Sequence, residues 1–91
     1  MYTVVYGPEW EDMMFFGDRM KALRKLCIQM FAYEENRFMP HMYEWNLGDD
    51  GVFKRCKQSY VVNIDRWAQY AGAGDDQVLD DEQIMRLIDL V

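Results

Sequence analysis

An α+β fold, built as an antiparallel sheet of about four strands with helices packed on one face, follows from three features of the chain. Apolar residues recur at every second position in some segments and at every third or fourth in others, with turn residues between the two kinds. The strand-like segments come in adjacent pairs, in the order β-β-α-β-β-α-α, so hairpins join them. The 91 residues make a single domain, 1–91, because a chain this short builds only one core.

Tyr2 to Tyr6 is short, β-branched and aromatic, and Gly7-Pro8 ends it, which predicts a first strand. Met13 to Phe16 returns as its partner across a connection that carries Trp10 near its tip. Gly17-Asp18 then breaks the pattern, and Asp18 can accept from the amides that open a following helix. From Arg19 the period is helical: Leu23, Leu26, Cys27, Met30 and Tyr33 share one face, with Arg19, Lys21, Arg24, Lys25 and Gln29 elsewhere. Ile28 and Phe31 widen the apolar surface, so the second half of this helix is expected to be covered on two sides or to face a partner. Asn36 suits the left-handed stop and Pro40 forbids continuation.

His41 to Leu47 alternates, with Tyr43, Trp45 and Leu47 on one side and Met42, Glu44 and Asn46 on the other. The turn Gly48-Asp49-Asp50-Gly51 folds the chain back into a partner strand from Val52 to about Val62. After Asn63, the spacing of Ile64, Trp67, Ala68 and Ala71 predicts a short helix that Gly72 ends. Residues 71–76 read as a flexible acidic connector. In the final segment Asp80 is the N-cap, Gln83 its reciprocal partner, and Leu79 and Ile84 a hydrophobic staple. The helix so predicted starts at Asp81 and lines one face with Ile84, Leu87, Ile88 and Val91, while Asp81 and Glu82 sit at its positive dipole end.

With 51% hydrophobic and 15% aromatic residues the chain has ample apolar mass to fold, which excludes intrinsic disorder. No apolar run approaches the roughly 18 residues that span a bilayer, and no secretory signal pattern opens the chain, so a cytoplasmic location is expected. Cys27 and Cys56 have neither CxxC spacing nor neighbouring histidines, and both are expected to be free, buried thiols.

Charge is unevenly spread. Residues 72–91 hold six acids against one base and residues 1–71 ten acids against nine bases, so five of the six net negative charges belong to the terminal segment. Charges within a Debye length of roughly 10 Å act together, which makes that segment an acidic appendage on a nearly neutral body. It can remain a solvated linker and helix cap, fold onto basic residues of the body such as Arg24 or Lys54, or contact a basic partner.

No motif for catalysis or cofactor binding stands out. His41 follows Pro40 without a nucleophile or an orienting carboxylate in sequence, and Ser59 lacks a GxSxG context. Asn46, Gly48, Asp50 and Gly51 echo the start of a calcium loop, but Gly48 offers no side-chain oxygen and Lys57 stands where the bidentate glutamate belongs. Gly72 and Gly74 are followed by aspartates instead of the lysine and hydroxyl of a phosphate loop. The acids at 75, 76, 80 and 81 are explained by capping and solvation, so no metal and no cofactor are expected.

The expected function is binding. The size, the local acidity and the aromatic and methionine content point to a small interaction protein, an inhibitor or adaptor with the profile of a viral or phage host-modulating protein. Its partner would be a larger protein with a basic surface, engaged by Asp75, Asp76, Asp80, Asp81 and Glu82 together with Trp10, Met13 and Met14. The alternative is a single-strand nucleic-acid binder in which Phe53, Tyr43 and Trp45 stack bases while Arg55 and Lys57, on one face by alternation, meet phosphates. Against that alternative, a solvated strand face whose aromatics belong to the core is the commoner arrangement. An enzyme built on Glu44, Asp65, His41 or a tyrosine ranks third, and the apolar surplus of the helices makes a homodimer plausible.

Overall fold

The computed structural model describes residues 1–9, 11–30, 38–71 and 80–91. Strands β1 (Tyr2–Val5) and β2 (Met13–Phe16) form the first hairpin, and helix α1 (Arg19–Gln29) follows. Strands β3 (His41–Leu47) and β4 (Phe53–Val62) form the second, followed by helices α2 (Ile64–Ala71) and α3 (Asp81–Leu87) and a final strand β5 (Ile88–Leu90). The sheet has five strands in the order β2-β1-β3-β4-β5, and every neighbouring pair is antiparallel. The predicted α+β architecture is therefore the observed one.

Local chemistry fixes the element ends. The Asp18 carboxylate accepts from Lys21 N at 2.9 Å and starts α1, and Asn63 Oδ1 accepts from Arg66 N at 3.0 Å to start α2. At α3, Asp80 Oδ1 accepts from Gln83 N at 2.8 Å while Gln83 Oε1 accepts from Asp80 N at 3.0 Å, completing the capping box. In the β3–β4 turn Gly51 adopts φ 78°, which a side chain would strain, and Asp50 Oδ1 accepts from Val52 N at 3.1 Å.

All three helices contribute to one layer on one face of the sheet. Ala22, Leu23, Leu26 and Cys27 of α1 and its C-cap Met30 pack with Val4, Met42 and Val62, and α2 adds Trp67 and α3 adds Ile84 and Leu87. Each fully buried Leu or Ile here is worth roughly 1.5–3 kcal/mol relative to exposure. Ile28, expected to be covered on a second side or to face a partner, has no second cover among the described residues and is exposed.

The last residues differ from expectation. Ile88 and Val91 were placed on the terminal helix by their spacing from Ile84 and Leu87, but the helix stops at Leu87 and the chain runs on as β5. The reason is non-local: Ile88, Asp89 and Leu90 pair with Val62, Val61 and Tyr60, and Val91 exchanges hydrogen bonds with Ser59 at 2.9 and 3.0 Å. The outer edge of β4 is thereby paired from Ser59 to Val62, which outweighs another helical turn. The predicted end of α1 near Asn36, the 72–76 part of the connector and the Leu79 staple lie outside the described residues.

Candidate interaction surface on the open sheet face

Side chains alternate along a strand, so the residues beside the core-facing ones point to the other side of the sheet. That side carries Thr3 and Val5 of β1, Met13 and Phe15 of β2, Tyr43 and Trp45 of β3, and Phe53 and Arg55 of β4, around a shallow hollow of about 440 Å³. A sheet covered by helices on one face normally presents polar residues on the other. Here the second face is apolar and aromatic, with Phe15 62% and Phe53 45% exposed. None of the described residues lining the hollow is acidic.

The rings are ordered. The Arg55 guanidinium carbon lies 4.5 Å from the centroid of the Tyr43 ring, a cation–π contact worth about 0.5–1 kcal/mol when exposed. The His41 ring meets Tyr43 edge-on at 5.0 Å and 73°, and Phe38 lies 5.8 Å from His41. A row of rings thus runs along β3 toward the guanidinium. Beneath it, Thr3 Oγ1 and Trp45 Nε1 are buried and have no hydrogen-bond partner among the described residues.

Of the residues expected to bind nucleic acid, Tyr43, Trp45, Phe53 and Arg55 meet on this face and Lys57 does not. The expected alternation of Arg55 with Lys57 fails because the register shifts between Tyr43 and Trp45: Tyr43 pairs with Ser59 and Trp45 with Arg55, leaving Cys56, Lys57 and Gln58 opposite Glu44 alone. Lys57 sits in this bulge and borders a separate hollow with Glu44, Cys56, Gln58 and Tyr60. The aromatics of β3, for which the core was the commoner expectation, lie on the side away from the helices, because Met42 occupies the core-facing position between His41 and Tyr43.

The thiols are free, and only Cys27 is fully buried. Burial pushes the Cys27 thiol up to about 12. Cys56, half-buried where burial was expected, receives a hydrogen bond from Asn46 Nδ2 at 3.2 Å and approaches Glu44 Oε2 at 3.5 Å. Desolvation, then the Glu44 carboxylate, raises its pKa. Desolvation, followed by the hydrogen bond to Glu44, also raises that of Tyr2.

Of the acidic and apolar residues expected to bind a partner, the described ones do not form one surface. Asp80 caps α3, Asp81 pairs with Arg24 of α1 at 2.7 Å, and Glu82 pairs with Arg86 at 2.7 Å, all in the helical layer. Met13 belongs to the open face, whereas Met14 is paired with core-facing Val4 and points to the opposite side. Trp10, Asp75 and Asp76 lie outside the described residues. The segment Met13-Met14-Phe15-Phe16 could have revealed Phe15, because it is apolar at both parities and leaves no polar side for water.

Among the residues weighed for catalysis, His41 lies in the ring row, Glu44 on the helix side, and Asp65 borders a hollow with Met39, Asn63 and Asp89. Among the described residues no three His, Cys, Asp or Glu side chains are grouped to hold a metal ion, and no helix is long and apolar enough to cross a membrane. Comparison of the chain with protein-family models, curated proteins and solved structures finds no match.

Proposed function

We propose that this protein acts by binding another protein, and that the open face of the sheet is its docking surface. The observation that supports this reading is the aromatic and apolar face around Tyr43, Trp45, Phe15 and Phe53, which the described structure leaves uncovered on the side where a two-layer domain needs polar residues. Interface anchors are enriched in Trp, Tyr and Arg, and all three residue types meet here. The single guanidinium, Arg55, favours a partner that brings a carboxylate or backbone carbonyl to the rim of the hollow. The acidic residues of α3 lie in the other layer and act in this reading through their field, drawing in partners with basic surroundings. The role is that of an inhibitor or adaptor, without catalysis.

A photo-crosslinking residue at Phe53, compared with the same probe at Lys21 in the helical layer, tests it in a lysate of the organism that encodes the chain. A discrete protein adduct from position 53 and none from position 21 is the expected result. Equal adducts from both, or none from position 53, would remove the docking surface.

Single-strand nucleic acid is the second reading, supported by the guanidinium stacked on Tyr43 beside a hollow that Trp45 and Phe53 also line and to which no described residue adds a carboxylate. It requires a mobility shift of labelled oligonucleotides at low salt that Arg55→Ala abolishes. Unchanged mobility at low salt discards it.

A further inference from the structure

From the outer edge of β2 we infer that the protein self-associates, with β2 of a second copy pairing antiparallel about Met14 and joining two sheets into one. The ladder identifies which backbone groups face outward. Trp45 N donates to Met1 O at 2.8 Å and Tyr6 N donates to Asp12 O at 2.9 Å, so odd-numbered residues of β1 bond to β3 and even-numbered ones to β2. Met14 and Phe16 therefore spend their N–H and C=O groups on β1, while those of Met13 and Phe15 point away from the sheet. Among the described residues no hydrogen bond reaches these outward groups.

Such an edge is a template for another strand unless lysine, proline, a bulge or an inward charge blunts it. The sequence Met-Met-Phe-Phe has none of these. The opposite edge carries charge of the kind that blunts pairing: Asp89 in the short strand β5, which accepts from Asn63 Nδ2 at 2.8 Å and pairs with Arg66 at 3.4 Å, and Lys54 and Lys57 in the part of β4 that β5 does not reach.

A second copy fits β2 in register and in charge. With Met14 opposite its own counterpart, Met13 of each copy faces Phe15 of the other, and these are the residues whose hydrogen-bonding groups point outward. Asp12 then faces Phe16 and Glu11 faces Gly17, so no carboxylate meets another although each chain carries a net charge of −6. Met13 and Phe15 of both copies also bring their two open faces side by side into one apolar strip. Pairing of such short strands buries less than the roughly 1,200 Å² of a standard interface, so a weak dimer is expected, with dissociation at about 10 μM to 1 mM.

Sedimentation velocity of the full chain across that range tests the inference, with amide hydrogen exchange as the site-specific readout. The wild type should move from monomer to dimer, and Phe15→Pro, which removes an outward N–H and the exposed ring but no hydrogen bond to β1, should stay monomeric at every concentration. The Met13 and Phe15 amides should gain protection as concentration rises, while Met14 and Phe16 are protected throughout. This exchange pattern decides the matter should the proline variant fail to fold. A wild type that remains monomeric, or that dimerises without protecting Met13 and Phe15, overturns the inference; in the first case the edge is open only to a strand from another protein, in the second the dimer uses another surface.

Discussion

On one face of the sheet Val4, Met42 and Val62 lie beneath the three described helices; one residue along β1 and β3, on the other face, Val5 and Tyr43 line the open hollow. The centre of the covered face takes aliphatic and methionine side chains that interlock with Leu23 and Leu26, with Tyr2, Phe16 and Tyr60 half-buried at its margin and the Arg19 guanidinium near Tyr60, whereas on the open face rings and a guanidinium line the hollow itself. Permanent burial favours groups without polar atoms, because each unpaired donor or acceptor costs about 1–3 kcal/mol. Reversible contact favours rings that gain area on docking and keep a hydrogen-bonding tip for water otherwise. Both faces are apolar, and the kind of apolarity separates a core from a docking surface.

Unfolding by urea gives the largest contrast. Leu26→Ala on the covered side should lose about 2–5 kcal/mol of stability, and Phe53→Ser on the open side should stay within about 0.5 kcal/mol. A comparable loss at Phe53 would make the open face a second core and end the distinction.

Alkaline pH sharpens it next. The unfolded Cys27 thiol ionises near its ordinary value of 9.0 and the folded one only at about 12. Above pH 9 the unfolded chain therefore binds fewer protons than the folded one, and stability falls with rising pH by up to about 1.4 kcal/mol per unit until near 12. Cys27→Ala should flatten this slope in chemical denaturation, leaving the smaller contributions of Tyr2 and Cys56, which are raised in the same direction.

Within the helical cover, Asp80→Ala should cost about 1 kcal/mol through loss of the cap, and Arg24→Ala at most about 1 kcal/mol because the Asp81 pair is exposed. A larger loss at Arg24, read from thermal unfolding, would show that charge and not apolar packing holds the cover. The smallest effect belongs to Thr3→Val: removing a buried hydroxyl without a partner should be neutral or stabilising by up to about 1 kcal/mol.

Most of the fold was legible because its signals are local. The period of Leu23, Leu26, Cys27 and Met30, the turn at Gly48 to Gly51 and the Asp80 and Gln83 pair each depend on neighbours in sequence. Strand β5 was not legible, since Ile88 and Val91 also continue the helical spacing of Ile84 and Leu87, and only the distant edge of β4 decides between the two. Alternation grouped Tyr43 with Trp45 correctly, but a period of two separates sides without saying which one the helices cover. The bulge opposite Glu44 has no mark in the sequence, and it is what parts Lys57 from Arg55.

The junction of α3 and β5 bears on how the molecule is made. One short stretch, residues 81–90, supplies both Ile84 and Leu87 to the core and the last strand to the sheet. Without that stretch the Ser59–Val62 end of β4 has bare amides and α1 lacks part of its roof. A chain truncated before Asp81 should therefore be sticky and sensitive to proteases, and the full chain resistant.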